Sequence, residues 1–209
     1  INIPASVVEI GYYAFKGCTS LIRASIPFVG ASQDVDAGAE AMGSYVFGSA
    51  PSVKFIELKA GERIPTSAFN GFGSLQDIIL PQSLKNIGNQ SFSSCYNLMS
   101  VDIPNGVTNI GDSAFYNCYK LPRMDLPEGL RSLGARCFQS CSSLKQLYLP
   151  GKVESIGSLA FGSTRIEYID VSEENEFFVW EGGYLLSYDR KRLVFCPSHM
   201  CLVTFPPTV

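Results

Sequence analysis

The 209-residue chain has a formal net charge of -3 and a pI near 5.2, so it lacks the basic footprint that nucleic acid requires. Hydrophobic residues make up 46% of it, ample for a continuous core, yet no window approaches the roughly 20 apolar residues of a membrane span. No signal peptide is visible. The chain starts at Ile1-Asn2-Ile3-Pro4 and stops at Phe205-Pro206-Pro207-Thr208-Val209, both in mid-repeat, so residues 1–209 read as one solenoid excised from a longer array.

Prolines set the period. Pro81, Pro104, Pro127 and Pro150 stand 23 residues apart, as do Pro4 and Pro27. A fixed interval of about 20 to 29 residues with recurring leucine-type letters predicts a solenoid, in which each coil packs only on its neighbours. The first coil carries Val7, Ile10-Gly11, Ala14-Phe15, Cys18, Leu21, Ala24 and Ile26. The second delays its phenylalanine to Phe47, and the stretch 28–44, rich in Gly, Ala and Asp, is expected to leave the coil as an inserted loop. The third has Ile64, Ala68-Phe69, Phe72, Leu75, Ile78 and Leu80. Three regular coils follow around Phe92, Phe115 and Phe138, and a seventh around Phe161. Residues 173–197 break the pattern. Tyr184 to Ser187 and Arg192 to Cys196 flank Tyr188-Asp189-Arg190-Lys191 and predict a β-hairpin in place of a coil. Val203 and Phe205 restart the repeat.

Each letter of the repeat has a physical assignment. The apolar pair before each proline, such as Val101 and Ile103, sits at strand spacing and points inward. Proline cannot donate to a ladder and ends the strand. The glycine after Ile or Leu, as in Gly88, Gly111 and Gly134, predicts a turn of positive φ. Ala114, Cys118 and Leu121 lie at i, i+4 and i+7, which predicts a short helical turn. The expected fold is therefore a repeat solenoid of the α/β leucine-rich type. It has about eight coils, a parallel strand ladder on one face, helical turns and irregular segments on the other, and one hairpin-type repeat near the end.

The pattern Pro-x-x-Val-x-x-Ile-Gly-x-x-Ala-Phe-x-x-Cys-x-x-Leu-x-x-Ile-x-Ile resembles the BspA-like, treponemal-type leucine-rich repeats. It recurs in at least five coils and covers nearly the whole chain. Pro27 to Ser32, leading to Phe47-Gly48, looks like an insertion seen in such proteins. Gly183 to Leu186 with Leu193 and Pro197 looks like their hairpin-type repeat. The resemblance implies a secreted or cell-surface protein, mostly bacterial with some members in protozoan parasites. It also implies adhesion to host matrix proteins, cells or other microbes.

Of seven cysteines, Cys18, Cys95, Cys118 and Cys141 share one repeat position, and Cys137 takes the position of Ala114. These are expected as buried thiols, because a free Cys packs as a small hydrophobe. Cys196 and Cys201 stand outside those positions, where either a disulfide or two free thiols fits. His199 is the single histidine, so every Ser-His or Cys-His scheme would have to use it; no positioned partner accompanies it in Pro197-Ser198-His199-Met200. No Walker loop, His-Glu-x-x-His or Gly-x-Ser-x-Gly occurs, and no enzymatic activity, cofactor or metal is expected. Asn89-Gln90-Ser91 matches a glycosylation sequon, which has meaning only in a eukaryotic secretory route.

Outward residues of stacked strands form rows. One row reads Ser25, Glu57, Ile79, Asp102, Asp125, Tyr148, Asp170; the other reads Arg23, Phe55, Asp77, Ser100, Arg123, Gln146, Tyr168. Asp102 and Asp125 are expected one rung apart, an unfavourable pairing that Arg123 is placed to relieve. The binding face is expected at Glu57, Asp102, Arg123, Asp125, Tyr148, Tyr168 and Asp170, acidic and tyrosine-flanked, suited to a basic or polar protein surface. The alternative is an ordinary solvated sheet face. A cation site at Asp102 and Asp125 lacks enough oxygen ligands. The 28–44 loop, with Asp34, Asp36 and Glu40, is a second candidate surface or a mere decoration. The expected function is a non-enzymatic adhesion or interaction module, extracellular or on the cell surface. Its partner would be an extracellular protein or a host or microbial surface component, not nucleic acid, with no membrane insertion in this segment. The rivals are a structural spacer and an accessory binding region of a larger secreted enzyme.

Overall fold

A computed structural model describes residues 1–32, 43–48, 52–198 and 200. His199, Cys201, Asp34, Asp36, Glu40 and the restart at Val203 and Phe205 fall outside the described residues.

The alternating letters before each proline form short strands. Arg23–Ile26, Phe55–Leu58, Asp77–Ile79 and Ser100–Val101 pair in parallel as one front sheet, and Gln146–Leu149 pairs with Tyr168–Val171. The register stacks equivalent letters: Ala24 beside Ile56, Ile56 beside Ile78, Ile78 beside Val101. Those residues are buried, whereas Ser100, Glu57 and Ile79 face outward.

A second parallel sheet was not legible in the sequence. Arg63–Ile64, Asn86–Ile87, Asn109–Ile110, Ser132–Leu133 and Ser155–Ile156 form five rungs along the side of the solenoid. Two residues are too few for alternation to register. These five rungs mark the regular turns of the solenoid, fewer than the expected eight, because the end coils depart from the repeat.

Two local expectations are corrected here. The segments around Ala114 and Cys118 are not helical turns; the single helix among the described residues is Gly43–Phe47. Each regular coil instead carries left-handed residues four positions apart, such as Gln90 with Ser94, Ser113 with Asn117, and Arg136 with Ser140. The amides of Ser91 and Ser93 bond back to Gly88 and Gln90, while those of Gln90, Phe92 and Ser94 reach Asp112, Ala114 and Tyr116 of the next coil. A helix would satisfy nearly all its N–H groups internally. The alternating backbone releases half of them to tie coil to coil.

The glycines after Ile or Leu do not adopt positive φ either. They permit close approach. A Cβ on Gly88 would lie 2.6 Å from the Ile64 carbonyl oxygen, and one on Gly111 would lie 2.7 Å from the Asn89 amide nitrogen. Gly134 and Gly157 are hemmed in likewise by the backbone at Gly111–Asp112 and Gly134–Ala135.

The core is one continuous cluster from Ile3 to Leu185. At its centre Phe69, Phe92, Phe115, Phe138 and Phe161 stack in a column, with centroids 5.4, 5.2, 5.5 and 6.3 Å apart and rings within 16° of parallel. Phe195 meets Phe161 edge-on at 5.6 Å and covers the end of the column. It lies on a three-stranded antiparallel sheet of Phe178–Glu181, Tyr184–Ser187 and Leu193–Phe195. The strand 178–181 joins the two expected of the hairpin across a turn with Gly182 and Gly183 at φ 62° and 89°. Buried Asn175 anchors this unit: its amide donates to the carbonyls of Pro150 and Val153, and its Oδ1 accepts from the N–H groups of Phe177 and Phe178.

Phe28, Val29 and Ala31, at the start of the 28–44 stretch, are buried, and Ser32 bridges Glu9. Phe47 packs on Phe15 at 5.6 Å and on Phe72 at 6.1 Å.

Candidate functional site

The front ladder breaks at one rung. Lys54, Gln76 and Met99 occupy one repeat position; the amide of Lys54 donates to Ile22, that of Gln76 to Lys54, and that of Met99 to Gln76. The next residue in the series is Pro122, which has no N–H to give. Residues 121–126 accordingly form no strand, although Met124 and Leu126 remain buried. Pairing resumes where the Glu167 amide donates to the Lys145 carbonyl.

At this break the face is hollowed. A concavity of about 300 Å³ is lined by Arg123, Met124, Asp125, Gln146, Leu147, Tyr148, Tyr168 and Asp170. Five of the seven expected binding residues thus come together. Arg123 Nε donates to Asp125 Oδ1 at 2.7 Å, and both side chains are mostly exposed. An exposed pair of this kind contributes little to stability and can be exchanged for a partner's charge at little cost. Tyr148 sits beside Asp170 in register, and Tyr168 beside Gln146. The Tyr168 hydroxyl donates to Asp170 at 3.4 Å, and its ring is held edge-on by Trp180 at 5.6 Å. Both tyrosines keep over a third of their surface exposed.

Glu57 and Asp102 lie elsewhere. Glu57 accepts from the Ser25 hydroxyl at 2.6 Å and lines a separate hollow of about 270 Å³ with Arg23, Phe55 and Ile79. There the Arg23 guanidinium covers the Phe55 ring at 3.9 Å. Asp102 is exposed and lines neither hollow. The expected pairing of Asp102 with Asp125 across a rung does not form, because the ladder is interrupted between them.

The thiols divide sharply. Cys95, Cys118 and Cys141 are fully buried, and their Sγ–H groups donate to the carbonyls of Phe69, Phe92 and Phe115 one coil before. Burial pushes the Cys141 thiol up to about 12 and raises those of Cys95, Cys118 and Cys137 well above the ordinary range. Cys18 departs from the expectation and is exposed. Cys196 is half-buried with a free thiol.

A family model described as the BspA type leucine rich repeat region matches residues 1–60 and 62–179 in 6 copies. The chain belongs to the BspA-type leucine-rich repeat family. Solved structures agree with this assignment. A leucine-rich repeat protein of T. pallidum is 26% identical with a TM-score of 0.53, over 81% of this chain and 71% of that one. A leucine-rich repeat protein of Bacteroides ovatus is 27% identical with a TM-score of 0.59, over 84% and 52%. A leucine rich cell surface protein of Faecalibacterium prausnitzii shares the fold at 23% identity and a TM-score of 0.56, over 79% and 51%. The BspA-type chain therefore spans 71% of the treponemal protein and about half of the other two. No curated protein sequence matches it.

The two outward rows expected from the BspA-type repeat supply Asp125, Tyr148 and Asp170 on one side of the hollow and Arg123 and Tyr168 on the other, but the break that gathers them was not read from the sequence. Pro122 was the signal for the break, readable by noting which letter replaces the donors Gln76 and Met99. Trp180 could not be anticipated, because its strand belongs to the irregular unit. Among the described residues, no helix is long and apolar enough to cross a membrane.

Proposed function

We propose that this solenoid is a non-enzymatic protein-interaction module of an exported or surface-bound protein, engaging its partner through the hollow at the Pro122 break. The observation that carries the reading is the convergence of Tyr148, Tyr168, Asp125 and Asp170 on one concavity at the only rung where the described front ladder fails. Exposed tyrosines provide rigid contact area with a polar tip. The carboxylates give the pocket a preference for a basic or polar protein surface. The similarity to the F. prausnitzii cell surface protein supports the location.

The test is saturable binding of the whole exported protein to matrix proteins, host cells and other microbes, followed by surface plasmon resonance with the partner found. Tyr148→Ala and Tyr168→Ala are expected to weaken binding at least about tenfold each, and Asp125→Asn about threefold to tenfold. Unchanged affinity in all three variants would overturn the hollow as the binding site, and a partner-free solenoid whose variants lose no function would be a structural spacer. Absence of saturable binding to any of these surfaces would end the adhesion reading.

A further inference from the structure

A second concavity lies on the turn side and shares no residue with the strand face. Ser93, Tyr116 and Gln139 occupy one repeat position in three successive coils. Gln90, Ser113 and Arg136 occupy the left-handed position three residues earlier. The two rows run parallel to the solenoid axis, and the furrow between them encloses about 480 Å³, more than either strand-face hollow. Ser93 is 7% exposed and lies at its floor, while Gln90 and Arg136 stand exposed at its rim.

Its chemistry differs from that of the front face. The lining offers hydroxyls, carboxamides, one phenol and one guanidinium, no carboxylate, and the exposed Leu159 at one end. Hydroxyls and carboxamides both donate and accept, so they match a ligand whose surface is itself a series of hydroxyls. The rungs repeat every 5.2 to 5.5 Å through this region, judged by the phenylalanine column. A linear pyranose chain laid along the furrow advances by about one sugar per rung and meets a polar pair at each: Gln90 with Ser93, Ser113 with Tyr116, and Arg136 with Gln139. The half-buried Tyr116 ring supplies an apolar face for sugar C–H groups. Arg136 presents a planar fork of donors suited to a carboxylate.

We propose that the furrow binds a linear, uronate-containing glycan along the solenoid axis, with the sugar hydroxyls on Gln90, Ser93, Ser113 and Gln139 and a uronate on Arg136. This site is independent of the strand-face reading. The test is a titration of the whole chain with a hyaluronan octasaccharide, followed by amide chemical shifts and calorimetry. Saturable shifts are expected at Gln90, Ser113, Tyr116 and Gln139. Arg136→Gln and Tyr116→Ala, each checked for an unchanged circular dichroism spectrum, should weaken binding at least about tenfold. Neutral cellohexaose should bind at least about tenfold more weakly than the uronate probe. The Tyr148→Ala, Tyr168→Ala double variant should bind the glycan unchanged, which separates failure here from failure of the protein-binding reading. No saturable shifts, equal affinity in either furrow variant, equal affinity for cellohexaose, or loss in the strand-face variant would each overturn the proposal.

Discussion

A single repeat position can be occupied by chemically similar residues in different environments, and the thiols illustrate this. Cys95, Cys118 and Cys141 keep their protons because burial disfavours the thiolate. Above about pH 9 the unfolded chain ionises these groups while the folded chain does not, so the unfolded state binds fewer protons and stability falls as pH rises. The expected loss is about 1.4 kcal/mol per pH unit per buried thiol until the folded value is reached. Urea melts at rising alkaline pH should show this slope, and Cys141→Ala should reduce it by about one thiol's share. Glycine carries the other residue-scale lesson. Gly134→Ala is expected to cost more than about 2 kcal/mol, since the added methyl strikes the Gly111–Asp112 backbone. An unchanged melting temperature would refute that packing. Burial of Cys95, Cys118 and Cys141 was legible from the repeat, whereas the exposure of Cys18 was not: the four letters are identical and only their surroundings differ.

At the scale of elements, what the sequence disclosed depended on whether a segment has a distinctive period. The front strands were readable from Ala24–Ile26, Ile56–Leu58 and Leu147–Leu149 because alternate apolar letters leave a period of two. The turns were misread for a definite reason. Ala114, Cys118 and Leu121 meet the helical spacing, but left-handed residues placed every fourth position bring the same letters onto one face. Spacing alone cannot separate those two backbones. The side sheet, two residues per rung, leaves no period at all. The Pro122 break yields a direct test. Pro122→Gln restores the missing donor opposite Met99 and should raise stability by about 1 kcal/mol. Hydrogen exchange should then show a protected amide at position 122. If that amide exchanges as fast as a free one, the break has another cause.

For the whole molecule, stability is a sum of coil and neighbour terms. Phe138 stands between Phe115 and Phe161, so Phe138→Ala removes two ring contacts and opens a cavity in the column. The expected cost is about 3–5 kcal/mol, measured by chemical denaturation. The column was the part of the molecule most fully written in the sequence, since Phe92, Phe115 and Phe138 recur at one interval and fill one space. The candidate site was legible only as rows; the gap that gathers Arg123, Asp125, Tyr148, Tyr168 and Asp170 depends on a proline that the repeat pattern treats as neutral. That gap has a mechanical consequence. The side sheet runs without interruption from Arg63–Ile64 to Ser155–Ile156 and passes the level where the front ladder is severed. Like a book whose spine is sewn and whose fore-edge is free, the array is tied coil to coil along its side at this level while its front is open. If the proposed partner seats itself between Arg123 and Tyr168, it works as a wedge on that open side and sets the curvature of the coils beyond.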